Sequence, residues 1–214
     1  MPILMRAQRE CGSWFWDLDD VTAPGLEAAL ATASRMSAVL QQNELLEPTS
    51  LEWHWFEVDK GGLGIHSRLD VAGRSLDDAT IVEQAQGCRP VSHPAAEMSS
   101  ILIVGSGLWL DAVGNRRREP RLVEVTVSPD PVGPSAELSV YHDVWGPCDF
   151  RGTPHPAVYA HNAPRLAAAL RDLDSLMGVA AEPGEPTYFG VAEGYGIKAP
   201  DIIDGRGPDL TDLL

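Results

Sequence analysis

Leu51-Glu-Trp-His-Trp-Phe-Glu-Val58, followed across Asp59-Lys-Gly-Gly62 by Ile65-His-Ser-Arg-Leu-Asp-Val71, is the stretch that decides the fold. In the second segment Ile65, Leu69 and Val71 fall on one side and His66, Arg68 and Asp70 on the other, the period of two that marks a half-buried strand. The glycine pair between the segments supplies turn chemistry, so together they predict an antiparallel hairpin. Working outward, Val123, Val125 and Val127 alternate with Glu124, Thr126 and Ser128, and Leu138, Val140, His142 and Val144 alternate with Ser139, Tyr141 and Asp143. Ser13–Leu18, Ile101–Val104 and Leu108–Val113 complete the expected strands, the last two divided by a turn at Gly105-Ser-Gly107.

Three stretches carry the helical period instead. Residues 24–42 open with Pro24 and repeat Leu26, Leu30, Ala33, Met36 and Leu40. A second helix is expected to open at Asn162-Ala-Pro164, run through Leu166, Ala169, Leu170, Leu173 and Leu176, and stop at Gly178, with Arg165, Arg171, Asp172 and Asp174 on its outer face. A third spans Ser75–Gln86, with Ser75 and Asp78 spaced as a capping box. Two to three helices on a mainly antiparallel sheet define an α+β protein. The order β, α, β, β, α, β over residues 13–104 permits a split βαβ, ferredoxin-like first half.

At 214 residues and 44% apolar, the chain is long enough for a buried core in a single domain spanning 1–214. Stretches 128–134, 145–156 and 182–186 are rich in Pro and Gly and predict loops within that domain. Residues 182–214 are irregular, but Thr187-Tyr-Phe-Gly190 and Gly194-Tyr-Gly196 predict a packed segment.

Asp and Glu number 31 against 16 Lys and Arg, a formal charge of -15 spread along the chain. Such a surface repels nucleic acid and anionic lipid, which bind through clustered Lys and Arg. The one basic run, Arg116-Arg117-Arg118, lies between Gly114-Asn115 and Pro120 and predicts a solvated turn. The longest aliphatic run, Ile101–Val104, is far short of the ~20 residues that cross a bilayer. The first ten residues lack the basic and apolar regions of a signal peptide. Three widely spaced cysteines, Cys11, Cys88 and Cys148, fit neither a disulfide framework nor a zinc ribbon, so a reducing cytoplasm is the expected compartment.

His142, Asp143, Cys148, Asp149, His155 and His161 fall within twenty residues and form the densest set of reactive side chains. Their spacing has no Cys-x-x-Cys or His-x-x-x-His pair, so no metal site is expected and the side chains are not expected to converge. A thiol at Cys148 beside His142 or His155 defines the alternative function, a small hydrolase or transferase built on this segment. Ser106 lacks the Gly-x-Ser-x-Gly elbow. Gly105-Ser-Gly107 opens like a dinucleotide fingerprint, but position 110 is Leu, and no cofactor is expected.

Trp14 and Trp16 alternate in one strand and Trp53 and Trp55 in another, a spacing that usually builds a core layer. Trp14 and Trp16 also run directly into Asp17, Asp19 and Asp20, and aromatic anchors beside charge are the composition of a protein-binding patch. The expectation is therefore a non-enzymatic cytoplasmic protein that binds a basic partner through Trp14, Trp16, Asp17, Asp19 and Asp20, as an immunity or antitoxin-type protein neutralises a toxin or nuclease.

Overall fold

A computed structural model describes residues 4–130 and 133–214, so part of the loop expected at 128–134 lies outside the described residues. The hairpin is present as β2 (Glu47–Glu57) and β3 (Gly61–Asp70), with His54 opposite His66 and Leu51 opposite Leu69. The other strands are β1 (Gly12–Asp17), β4 (Glu97–Met98), β5 (Ile101–Leu110), β6 (Arg116–Pro120), β7 (Glu124–Ser128), β8 (Ser135–Val140) and β9 (Glu182–Pro183). They form one sheet in the order β3-β2-β5-β7-β8-β1-β9, with β4 on β2 and β6 on β5, and every pairing among them is antiparallel. A separate small hairpin joins β10 (Ala192–Glu193) to β11 (Gly196–Ile197).

Helices α1 (Leu26–Gln42) and α3 (Pro156–Met177) pack against the sheet and each other, and α2 (Ala79–Gly87) packs against α1. Leu30, Ala33, Met36 and Leu40 of α1 and Leu166, Leu170 and Leu173 of α3 share one buried cluster with Trp16, Trp53, Trp55, Ile103, Val125 and Leu138. Each large side chain in it contributes about 1.5–3 kcal/mol by leaving water. The protein is thus α+β, with three helices on a mainly antiparallel sheet.

Several local expectations are corrected. The split βαβ pairing of the first half is not formed, because β1 pairs with β8 and β9, at the opposite end of the sheet from β3. Gly105 and Gly107 are not a turn but lie inside the continuous strand β5. A Cβ on Gly105 would stand 2.1 Å from the Glu47 carbonyl oxygen, and one on Gly107 2.1 Å from that of Leu45. The glycines let the incoming β2 chain cross β5 at close range. The arginine run is likewise strand β6, and the turn precedes it at 111–115. There the Asp111 carboxylate accepts from the amides of Val113 and Asn115, and Gly114 takes φ 85°.

Helix α3 begins at Pro156, six residues before the expected start, and Gly178 ends it at φ 74°. Pro164 sits inside the helix on its exposed side. Asp78, not Ser75, caps α2 by accepting from the Thr80 amide at 2.8 Å. The last long strand stops at Val140. His142 makes only an isolated bridge to Arg6, and Asp143–Trp145 is a single 3-10 turn.

Candidate functional site

Residues 142, 143 and 146–150, around that 3-10 turn, form the floor of a cavity of about 360 Å³ whose roof is the C-terminal segment. Two contacts tie the roof down, Thr187 Oγ1 donating to the Glu10 carbonyl at 2.6 Å and the Leu210 amide to that of Phe150 at 2.7 Å, and the Lys198 amide closes the segment on itself at the Val191 carbonyl, 2.9 Å away. Gly190 passes so near Cys11 that a Cβ would stand 2.3 Å from its carbonyl oxygen. Phe150 of the floor meets Phe189 of the roof edge to face at 5.5 Å.

Of the six reactive side chains expected between 142 and 161, the cavity gathers His142, Asp143, Cys148 and Asp149. His155 and His161 are elsewhere and structural. His155 Nε2 donates to the Gly146 carbonyl at 2.7 Å, and His161 Nδ1 donates to that of Asp111 at 3.0 Å. Asp149 organises its own turn, accepting from the Arg151 and Thr153 amides at 3.0 and 2.8 Å.

His142 is fully buried, and neither ring nitrogen has a hydrogen-bond partner. The nearest charge is Glu119 Oε1, 3.7 Å from Nε2. Burial, with the Arg6 charge nearby, pushes the imidazole down to about 4, so it is neutral at physiological pH. Neither ring nitrogen meets a thiol, so His142 forms no thiol–imidazole pair. The Cys11 thiol donates to the His142 carbonyl at 3.7 Å and is pushed up by burial, with Asp143 adding to the effect. Among the described residues, no three His, Cys, Asp or Glu side chains are placed to hold a metal ion.

Asp143 is 4% exposed. Its Oδ1 accepts from the Met5 amide at 3.2 Å, while Oδ2 has no hydrogen-bond partner. Burial pushes its pKa up to about 7, with the Met5 and Phe150 amides pulling the other way.

The patch expected at the first strand is divided by the pleat. Asp17, Asp19 and Asp20 are exposed, as is Phe15, but Trp14 and Trp16 are 1% and 0% exposed and face inward. Their indoles serve the protein's own architecture. Trp14 Nε1 donates to the Gly194 carbonyl at 2.6 Å, and Trp16 Nε1 to Asp174 Oδ1 at 2.8 Å. On the folded surface neither ring is free to anchor a partner.

Sequence reasoning placed Asp174 and Arg165 on the outer face of the helix, and both turn inward. Asp174 accepts from Trp16, from the Ala181 amide at 2.9 Å and, through Oδ2, from the Tyr195 hydroxyl at 2.8 Å, so one carboxylate joins β1, α3 and the C-terminal segment. Asn162 is 0% exposed and completes the end of β5, accepting from the Leu110 amide at 2.9 Å and donating to the Leu110 carbonyl at 2.7 Å. Arg165 adds a bond to the Leu108 carbonyl at 2.8 Å. The available signal was spacing: Asn162 and Asp174 lie four residues from Leu166 and Leu170, on the apolar stripe itself.

The other missed feature is the surface of the C-terminal segment. Five of the ten exposed large apolar side chains among the described residues lie in it: Tyr188, Ile202, Ile203, Leu213 and Leu214. Residues 182–214 carry seven carboxylates against Lys198 and Arg206. The arginines of β6, by contrast, are matched one to one: Arg116 with Glu44 at 2.9 Å, Arg117 with Asp111 at 3.1 Å and Arg118 with Glu47 at 2.8 Å. No described helix is long and apolar enough to cross a membrane. The chain matches no family model, no curated protein and no solved structure.

Proposed function

We propose that this protein is a non-enzymatic, cytoplasmic module that binds a basic protein, acting as an immunity or antitoxin-type neutraliser of a toxin or nuclease. The observation that carries the reading is the C-terminal segment, where Tyr188 at 81% and Ile203 at 74% exposure stand among Asp201, Asp204, Asp209 and Asp212. Apolar anchors supply short-range affinity, and a surrounding field of one sign steers an oppositely charged partner toward them. Phe15 with Asp17, Asp19 and Asp20 offers a second, smaller patch of the same kind. The net charge of -15 raises the capture rate of a cationic protein over the whole surface.

The test is capture of the partner from the native host by tagged protein, identification by mass spectrometry, and binding kinetics at two salt concentrations. The expected partner is basic. Its on-rate falls roughly tenfold or more between low and high salt, because exposed charges are screened beyond a Debye length of ~8 Å at physiological ionic strength. Tyr188→Ser with Ile203→Ser raises the off-rate, and Asn at positions 17, 19 and 20 lowers the on-rate. Salt-insensitive association, or an off-rate unchanged in the Tyr188/Ile203 variant, sinks the proposal.

A further inference from the structure

We propose that His54 and His66 form a surface site for one imidazole-preferring divalent ion of the Zn²⁺, Ni²⁺ and Cu²⁺ class, with water filling the remaining coordination positions. The site is on the exposed face of the β2-β3 hairpin, at the opposite end of the sheet from β1, and is independent of the protein-binding reading above.

Of the six histidines, four are bonded or buried: His93 Nδ1 meets Glu57 Oε1 at 2.8 Å, His155 and His161 hold backbone carbonyls, and His142 is enclosed. His54 and His66 are both exposed, and among the described residues neither ring makes a hydrogen bond or an ion pair. Their nitrogens are therefore open to solvent, and a neutral imidazole nitrogen is the commonest metal ligand that side chains supply. The strand ladder sets them side by side. His54 sends its backbone amide and carbonyl the other way, to Ser99 Oγ at 3.0 Å and the Ser99 amide at 2.9 Å. Its pairing with His66 is thus of the non-hydrogen-bonded kind, in which opposed side chains stand closest.

The ring spacing is that of two ligands on one ion. An imidazole nitrogen binds zinc at ~2.0–2.1 Å with its ring centre ~1.1 Å behind, so two rings about 90–110° apart around an ion have centres about 4.5–5.2 Å apart. The His54 and His66 centres are 5.0 Å apart, and their planes cross at 52° instead of stacking. Being exposed, both side chains can turn one nitrogen toward a shared point at little cost. Charge does not oppose the ion: Arg68, two residues beyond His66, is drawn to Glu52 at 3.7 Å, and the net charge of -15 favours any cation. Nitrogen ligands select against Mg²⁺ and Ca²⁺, which take oxygen.

The experiment is titration of the intact protein with ZnCl₂, followed by calorimetry and by two-dimensional amide NMR, with MgCl₂ as the control. Zn²⁺ is expected to shift the amides of His54 and His66 saturably and ahead of those of His93, His155 and His161, whereas a roughly tenfold excess of Mg²⁺ leaves them unmoved. His54→Gln and His66→Gln each weaken Zn²⁺ at least ~10-fold, since even an outer-shell partner of a metal site is worth about that much, and His93→Gln changes it by less than about twofold. Cu²⁺ is expected to bind more tightly than Zn²⁺. The shift pattern of the parent protein locates the ion without any variant, so the test survives a variant that misfolds. Zn²⁺ affinity unchanged in either Gln variant, shifts spread over the other histidines or centred on a cysteine, or no saturable shift at residues 54 and 66 overturns the proposal. None of these readouts involves the partner protein, so failure here and failure of the protein-binding reading are distinct.

Discussion

Replacing Asp174 with Ala tests how the protein holds its C-terminal segment in place. Three donors lose their acceptor: the indole of Trp16, the amide of Ala181 and the hydroxyl of Tyr195. Trp16 is 0% exposed, so its N–H is left unsatisfied at about 1–3 kcal/mol, whereas the Ala181 amide and the Tyr195 hydroxyl are less buried and recover part of their loss from water. A total of about 3 kcal/mol is expected, equivalent to about 6–12 °C of Tm for a chain of this length. Tyr195→Phe removes one bond and strands no buried donor, so a clearly smaller loss is expected. Asp174→Asn keeps an acceptor oxygen but not the charge and should fall between the two. The assay is urea unfolding followed by tryptophan fluorescence, with limited proteolysis reporting release of residues 182–214. A loss under about 0.5 kcal/mol for Asp174→Ala, or equal losses for it and Tyr195→Phe, would refute the idea that this carboxylate is the shared anchor.

Three further outcomes are expected. Asn162→Ala strands the amide and carbonyl of Leu110 and should cost about 2–4 kcal/mol in urea unfolding, against about 1 kcal/mol or less for a polar surface control; equal losses would show that water replaces the side chain. Gly105→Ala drives a methyl group into the Glu47 carbonyl and should prevent accumulation of folded protein, whereas Gly62→Ala, with open space around its Cβ, should stay within about 0.5 kcal/mol of the parent; similar Tm values for both would sink the close-crossing account. Because Asp143 is held at about 7 when folded and titrates near 4 when unfolded, its contribution to stability is lost as pH rises from about 4 to 7. Asp143→Asn should therefore gain stability relative to the parent across that window, a difference in which the opposing titration of His142 cancels. Parallel pH profiles of the urea midpoint would contradict it.

Periodicity and turn chemistry made much of the framework legible. The β2-β3 hairpin, the valine-rich β7, the apolar face of α1 and the stop at Gly178 are consequences of neighbours a few residues apart, and local sequence contains such information. The same local reasoning misjudged Gly105 and Gly107, since a glycine that admits a crossing chain is indistinguishable in sequence from one that turns. It also missed Asn162 and Asp174, polar residues on an apolar stripe, because what satisfies them is the end of β5, Trp16 and Tyr195, all distant in the chain.

By itself the sequence determined the α+β class, the mainly antiparallel sheet, the strongly acidic character and the position of the aromatic strands, because composition and two short periods are properties of the chain alone. Only the tertiary structure decided the strand order, which placed β1 beside β8 and turned Trp14 and Trp16 inward. It also decided that the C-terminal segment would roof a cavity over Asp143 while leaving Tyr188 and Ile203 exposed. The physical reason is that burial is set by which distant surfaces meet: a strand's pleat says which residues share a face, and only the packed helices say which face is inside.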